Sequence, residues 1–120
     1  MARRILVVDD SEDICSFLSM ILRVEGCEVK TVENRGDALA YILGEWRPDI
    51  ILLDYNMPGL TIDEFLKQLI RRTSGHLPRV VLMTAGHEAD QKARQIGIPE
   101  VLHKPFEPHD VLESIAPCSA

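Results

Sequence analysis

No stretch of this sequence stays apolar for long enough to cross a bilayer as a helix, which excludes a transmembrane helical span. Arg3-Arg4 followed by Ile5 to Val8 has the outline of a secretory leader. The apolar part is too short and runs into Asp9-Asp10, so that reading is rejected. Cysteine is scarce. The three present, Cys15, Cys27 and Cys118, are odd in number and lack metal or redox spacing, so they read as free thiols in a reducing cytoplasm. Cys118, near the terminus, is expected to cross-link copies only as an artefact of air oxidation. An excess of basic charge is also lacking. A net charge of −6 argues against a nucleic-acid groove in this chain and against docking on an anionic membrane. No glycine-rich phosphate loop follows the first apolar run, which disfavours a flavin or nucleotide binder. Linkers, low-complexity tracts and repeats are absent too. Residues 1–120 are therefore expected to form a single domain with one substantial core.

What is present is a regular alternation. Arg4 to Val8 is an apolar run with the character of a buried strand. Ser11 then offers an N-cap hydroxyl to a helix with Ile14, Phe17, Leu18, Ile21 and Leu22 at helical spacing, closed by Gly26. Glu28 to Val32 is a more polar strand, suited to an edge. Asn34 caps a helix with Ala38, Leu39, Ile42 and Leu43 on one face, ended by Gly44 and Pro48. Ile50 to Asp54 follows as a strand. Thr61-Ile62-Asp63-Glu64 reads as a capping box before a helix carrying Phe65, Leu66, Leu69 and Ile70. Arg79 to Met83 is a fourth strand, ending in Thr84. The next helix, from about Glu88 to Gln95, has only Ala89, Ala93 and Ile96 to bury, so it is expected to be the most easily displaced. Glu100 to His103 is a short fifth strand ending in Lys104-Pro105, and Pro108 opens a last helix with Val111, Leu112 and Ile115. Strand and helix alternating in this way predict a parallel sheet covered by helices on both faces.

The centre of the chain is Ile50 to Asn56, where four large apolar residues end abruptly in Asp54. A strand buried on both faces has no room for a charge, so Asp54 belongs at its carboxyl end. That edge of an open α/β sheet is where ligands bind. Two readings stand side by side: a solvated Asp opening a turn at Met57-Pro58-Gly59, or a nucleophile that accepts a phosphoryl group. The other strand ends supply Asp9 and Asp10, Thr84, and Lys104. Each also has a plain reading, as helix-start acids, a capping hydroxyl and a surface lysine. If the strand order is 2-1-3-4-5, Asp9, Asp10 and Asp54 converge on one crevice. Crowded carboxylates call for a cation or raised pKa values. An all-oxygen, open site favours Mg²⁺. With Lys104 and Thr84 opposite, the set makes an electrostatic clamp of the kind phosphoryl transfer requires.

Val7-Val8-Asp9-Asp10, Leu53-Asp54-Tyr55-Asn56-Met57-Pro58, Met83-Thr84-Ala85 and Lys104-Pro105-Phe106 resemble the receiver domain of bacterial two-component response regulators, over essentially the whole chain. The resemblance implies a flavodoxin-like three-layer α/β/α sandwich with a five-stranded parallel sheet in the order 2-1-3-4-5. It implies that Asp54 is phosphorylated by a partner's phosphohistidine. Asp10, Asp54 and the Asn56 backbone carbonyl would ligate Mg²⁺, with Asp9 acting through water. Thr84 and Lys104 would contact the phosphoryl oxygens, and Lys104-Pro105 would be a cis peptide. Two positions depart from the family pattern. Val101 stands where receivers usually carry a switching Tyr or Phe, and Ile62 stands where they usually carry Gly. Ile disfavours positive φ, so the loop after Asp54 is expected to take its own backbone path.

The expected function is a phosphorylatable signalling switch rather than a turnover enzyme. It would be loaded by a sensor histidine kinase or histidine phosphotransfer protein and read by a downstream protein. A cytoplasmic monomer or weak homodimer is the expected state. Two rivals belong to other classes: a pseudo-receiver that only binds partners, kept in view by Val101, and a Mg²⁺-dependent aspartyl-phosphate phosphatase. The phosphatase needs an Asp two residues after the nucleophile, where this chain has Asn56.

Overall fold

The structure is a computed structural model that describes residues 3–43, 46–86, 88–98 and 100–116. Gly44 and Cys118, read above as a helix end and a free thiol, lie outside these residues, as do the side chains of Leu43 and Ala89. The elements are β1 Arg4–Val8, α1 Glu12–Val24, β2 Glu28–Val32, α2 Arg35–Leu43, β3 Ile50–Asp54, α3 Ile62–Arg72, β4 Arg79–Thr84, α4 Glu88–Ile96, β5 Glu100–His103 and α5 Pro108–Ser114. The five strands are parallel and ordered β2-β1-β3-β4-β5, so the flavodoxin-like arrangement is realised and polar β2 is an edge.

Side chains alternate across a strand, which explains why the central runs are continuously apolar. Leu6, Val8, Ile51, Leu53 and Leu82 pack on one face with Leu39, Phe65 and Leu69 of α2 and α3. Ile5, Val7, Leu52, Val81 and Met83 pack on the other with Leu18, Leu22 and Val111 of α1 and α5. Both faces are covered, so a charge on the central strands has only the strand ends to occupy.

Local capping sets where the helices begin. Ser11 Oγ accepts the Ile14 N–H at 3.3 Å, and Asn34 Oδ1 accepts the Asp37 N–H at 2.7 Å. Thr61 Oγ1 accepts the Glu64 N–H at 3.1 Å, but the returning half of the expected box, Glu64 to the Thr61 N–H, is not among the described hydrogen bonds. Thr61→Ala therefore removes one cap bond and is expected to cost about 1 kcal/mol in urea denaturation.

Two details differ from the sequence reading of α3. Ile70 is exposed, because Ile62, Phe65 and Leu69 define the buried stripe and Ile70 lies about 100° round the helix from Leu69. Ile62 opens the helix as a buried residue, and the left-handed turn before it is made by Gly59 at φ 94°. Helix α4 buries little: Ala93 is its one buried residue among the described side chains, with Ile96 half-buried. Polar contacts hold its flanks, a salt bridge from Lys92 to Asp63 of α3 at 2.7 Å and a contact of Asp90 with the His103 imidazole of β5 at 3.3 Å.

Candidate functional site

The carboxyl ends of β1, β3, β4 and β5 bring the predicted residues together. Asp9 and Asp54 are buried and Asp10 is exposed; carboxylate oxygens of the three lie within 4.8 Å of one another. Asp9 is fixed on both oxygens. Oδ1 accepts the Ser11 N–H at 2.9 Å and Oδ2 accepts from Lys104 Nζ at 2.9 Å. Asp54 is engaged on one side only. Its Oδ1 accepts from the Asn56 N–H at 3.3 Å and from Lys104 Nζ at 3.3 Å, while Oδ2 takes no hydrogen bond from a described residue. Lys104 thus bridges Asp9 and Asp54, lying closer to Asp9.

The electrostatics follow from this packing. Burial pushes the Asp54 carboxyl up from its ordinary range, the Asp9 charge pushes it further, and Lys104 and the Asn56 N–H oppose them. For Lys104, burial alone works against the ammonium. The hydrogen bond to Asp9 and the charges of Asp54 and Asp9 outweigh it, and the net shift is upward. The Cys15 thiol donates to the Asp9 carbonyl at 3.3 Å, and burial with the Asp9 charge pushes it up to about 11. Both effects disfavour the thiolate, the reactive form of the thiol.

Thr84 is buried, and its Oγ1 accepts the Gly86 N–H at 3.0 Å, which leaves the hydroxyl proton to donate elsewhere. The Thr84 carbonyl takes the Lys104 N–H at 2.7 Å, tying the ends of β4 and β5 together. The Lys104-Pro105 peptide is cis. Val101 is half-buried and does not fill the space beside α4: a hollow of about 460 Å³ lies between Asp90, Ala93, Arg94, Ile98 and Val101.

The donor set is all oxygen and suits a hard divalent cation. The Asn56 carbonyl is part of it in principle, since no described group hydrogen-bonds to it. One residue escaped the sequence reading altogether. Arg35, first in α2, is buried and sends its guanidinium to the carbonyls of the loop after Asp54. The available signal was a cation in the first turn of a helix, where the dipole disfavours it unless something else holds it.

Comparison with known proteins bears on the family and the fold. The family model described as the response regulator receiver domain matches residues 5–116. The phosphate regulon transcriptional regulatory protein PhoB of Escherichia coli is 33% identical over 96% of this chain and 51% of its own length, so the chain spans about half of that relative. Sporulation initiation phosphotransferase F of Bacillus subtilis is 32% identical, over 96% of this chain and 92% of its own. Among solved structures, the chemotaxis protein CheY4 of Vibrio cholerae superposes with a TM-score of 0.85 at 31% identity, covering 96% and 97% of the two chains. Family model and fold agree over nearly the whole chain: this chain belongs to the response regulator receiver domains of two-component systems.

Proposed function

We propose that residues 1–120 act as one receiver unit whose Asp54 takes a phosphoryl group from the phosphohistidine of a sensor kinase or histidine phosphotransfer protein. The observation that carries this is the one-sided engagement of Asp54, with Oδ1 held by Lys104 and Asn56 and Oδ2 without a partner among the described residues. Oδ2 attacks phosphorus, the P–N bond to the imidazole breaks, and the electron pair leaves with the imidazole nitrogen. Asp10, Asp54 and the Asn56 carbonyl would hold Mg²⁺, with Asp9 acting through water. Bound there, Mg²⁺ supplies positive charge against the crowded carboxylates and the transferring phosphoryl oxygens. Lys104 and the Thr84 hydroxyl contact those oxygens from the protein side. The resulting acyl phosphate hydrolyses slowly in place, so the domain limits its own signal. That one relative of nearly the same length is named a phosphotransferase supports a phosphorelay role.

The signal leaves by the thinly packed α4. A phosphoryl group adds nearly two negative charges beside Thr84, and Val101 displaces little volume in response. Movement is concentrated between Ala85 and Ile96, where a downstream protein reads it.

Incubation with acetyl phosphate and Mg²⁺, read by intact mass, is expected to give a single phosphoryl adduct, and EDTA is expected to abolish it. Labelling that survives EDTA, or that maps to a residue other than Asp54, overturns the reading.

A further inference from the structure

Arg35 is placed as no surface helix-start residue would be. It is 4% exposed, and no described carboxylate pairs with it. Its Nη2 donates to the carbonyls of Asp54 at 2.8 Å and Tyr55 at 2.9 Å. Its Nη1 donates to Leu60 at 2.6 Å and, at 3.5 Å, to Met57. Its buried Nε finds no partner among the described residues. A buried polar atom left unpaired carries a cost, so this placement needs a reason.

The pattern of carbonyls supplies one. Of the four consecutive carbonyls from Asp54 to Met57, the guanidinium takes three and omits Asn56. The peptide planes leading into Asn56 are held at both ends. In the first, the Asp54 carbonyl is on Arg35 and the Tyr55 N–H is on the Met83 carbonyl at 2.8 Å. In the second, the Tyr55 carbonyl is on Arg35 and the Asn56 N–H is on Asp54 Oδ1 at 3.3 Å. The Asn56 carbonyl lies in the next plane and is the one in the run that takes no described donor, while the planes before and after it are held by Arg35 through the Tyr55 and Met57 carbonyls.

We propose that Arg35 is a positioning residue for the divalent cation: it presents the Asn56 carbonyl as a ligand and so sets the affinity of the site for Mg²⁺. The inference rests on the Mg²⁺ reading above. A planar fork with several donors can hold these carbonyls together; the single ammonium of lysine cannot.

The sign of the effect separates positioning from charge. As a cation near Asp54, Arg35 opposes a second cation, so by charge alone Arg35→Met tightens Mg²⁺ binding. Positioning predicts the reverse. Calorimetric titration of the folded protein with MgCl₂ is expected to show Arg35→Met and Arg35→Lys both weaker than wild type by about 10–100-fold, the scale for groups that orient a metal ligand. Wild type that binds no Mg²⁺ overturns both this inference and the metal reading. Wild type that binds, with either variant equal or tighter, overturns this one alone. A second measurement needs no variant: in wild type, the carbonyl carbon of Asn56 is expected to shift most among residues 54–57 as Mg²⁺ is added, with the Arg35 N–H protons still protected from solvent. A dominant shift at Tyr55 or Met57, or an Arg35 side chain in fast exchange, refutes it.

Discussion

Lys104→Met is expected to lower stability by about 2–3 kcal/mol at pH 7, somewhat less than the loss from breaking a fully buried pair, because the lysine side chain is 19% exposed. The ammonium is the described cation within hydrogen-bonding distance of both Asp9 and Asp54. Methionine keeps most of the apolar stem and removes the charge, leaving two buried carboxylates facing each other. The pH dependence has a definite sign. The folded pKa of Asp54 is already raised, so its ionisation costs folded stability as pH rises through that value. Loss of Lys104 removes a lowering influence and raises it further. The deficit of the variant is therefore full near neutral pH, shrinks as pH falls through the raised folded range of Asp54, and is largely gone near about pH 4, where the unfolded carboxyls also protonate. Urea denaturation at pH 7 and pH 4 checks this. An equal deficit at both pH values would assign the loss to packing of the stem. Acetyl-phosphate labelling should fall with the ammonium gone, since no other described cation hydrogen-bonds to the acceptor carboxylate.

The strands, their order and the converging acids were legible because they follow from local rules. Continuous apolar runs need burial on both faces, and a charge ending such a run needs a strand end. Asp9, Asp10, Asp54, Thr84 and Lys104 each close or adjoin a strand, so parallel topology alone brings them together. What escaped depends on distances between segments. Arg35 reads as one more charge beside an Asn cap, and its burial exists only because a loop some 20 residues later folds over it. The preference of Lys104 for Asp9 is equally non-local, spanning 95 residues. Ile70 misled for a different reason. Spacing in one helix gives an apolar stripe but not its width, and α3 spends its burial on Ile62, Phe65 and Leu69. Gly59 shows the same limit: the loop places its positive φ there, three residues before the Ile that replaces the family's usual glycine.

Asp54→Asn is expected to abolish the phosphoryl adduct completely and, at the same time, to make the domain more stable at pH 7. The two effects share one cause. Asparagine is close in shape to the protonated carboxyl. Its amide oxygen can still accept from Lys104 and from the Asn56 N–H, so neither donor is orphaned. What disappears is the charge, which burial and Asp9 make unfavourable in the fold. A group with a raised folded pKa stabilises the fold below its unfolded pKa and loses that contribution as pH rises through the folded value. The gain on substitution is therefore absent at low pH, grows through the carboxylate range and is constant above it. A relieved charge of this kind is worth about 1 kcal/mol, which raises Tm by about 4 °C in a domain of this size. Thermal melts of the two proteins from pH 3 to pH 8, beside the labelling assay, test the pair of effects together. Loss of labelling with a gain in stability shows that the ionised oxygen is kept for chemistry at a cost to the fold. Loss of labelling with loss of stability at every pH would instead make Asp54 a structural anchor of the loop, and the missing adduct would then be a consequence of a disordered site.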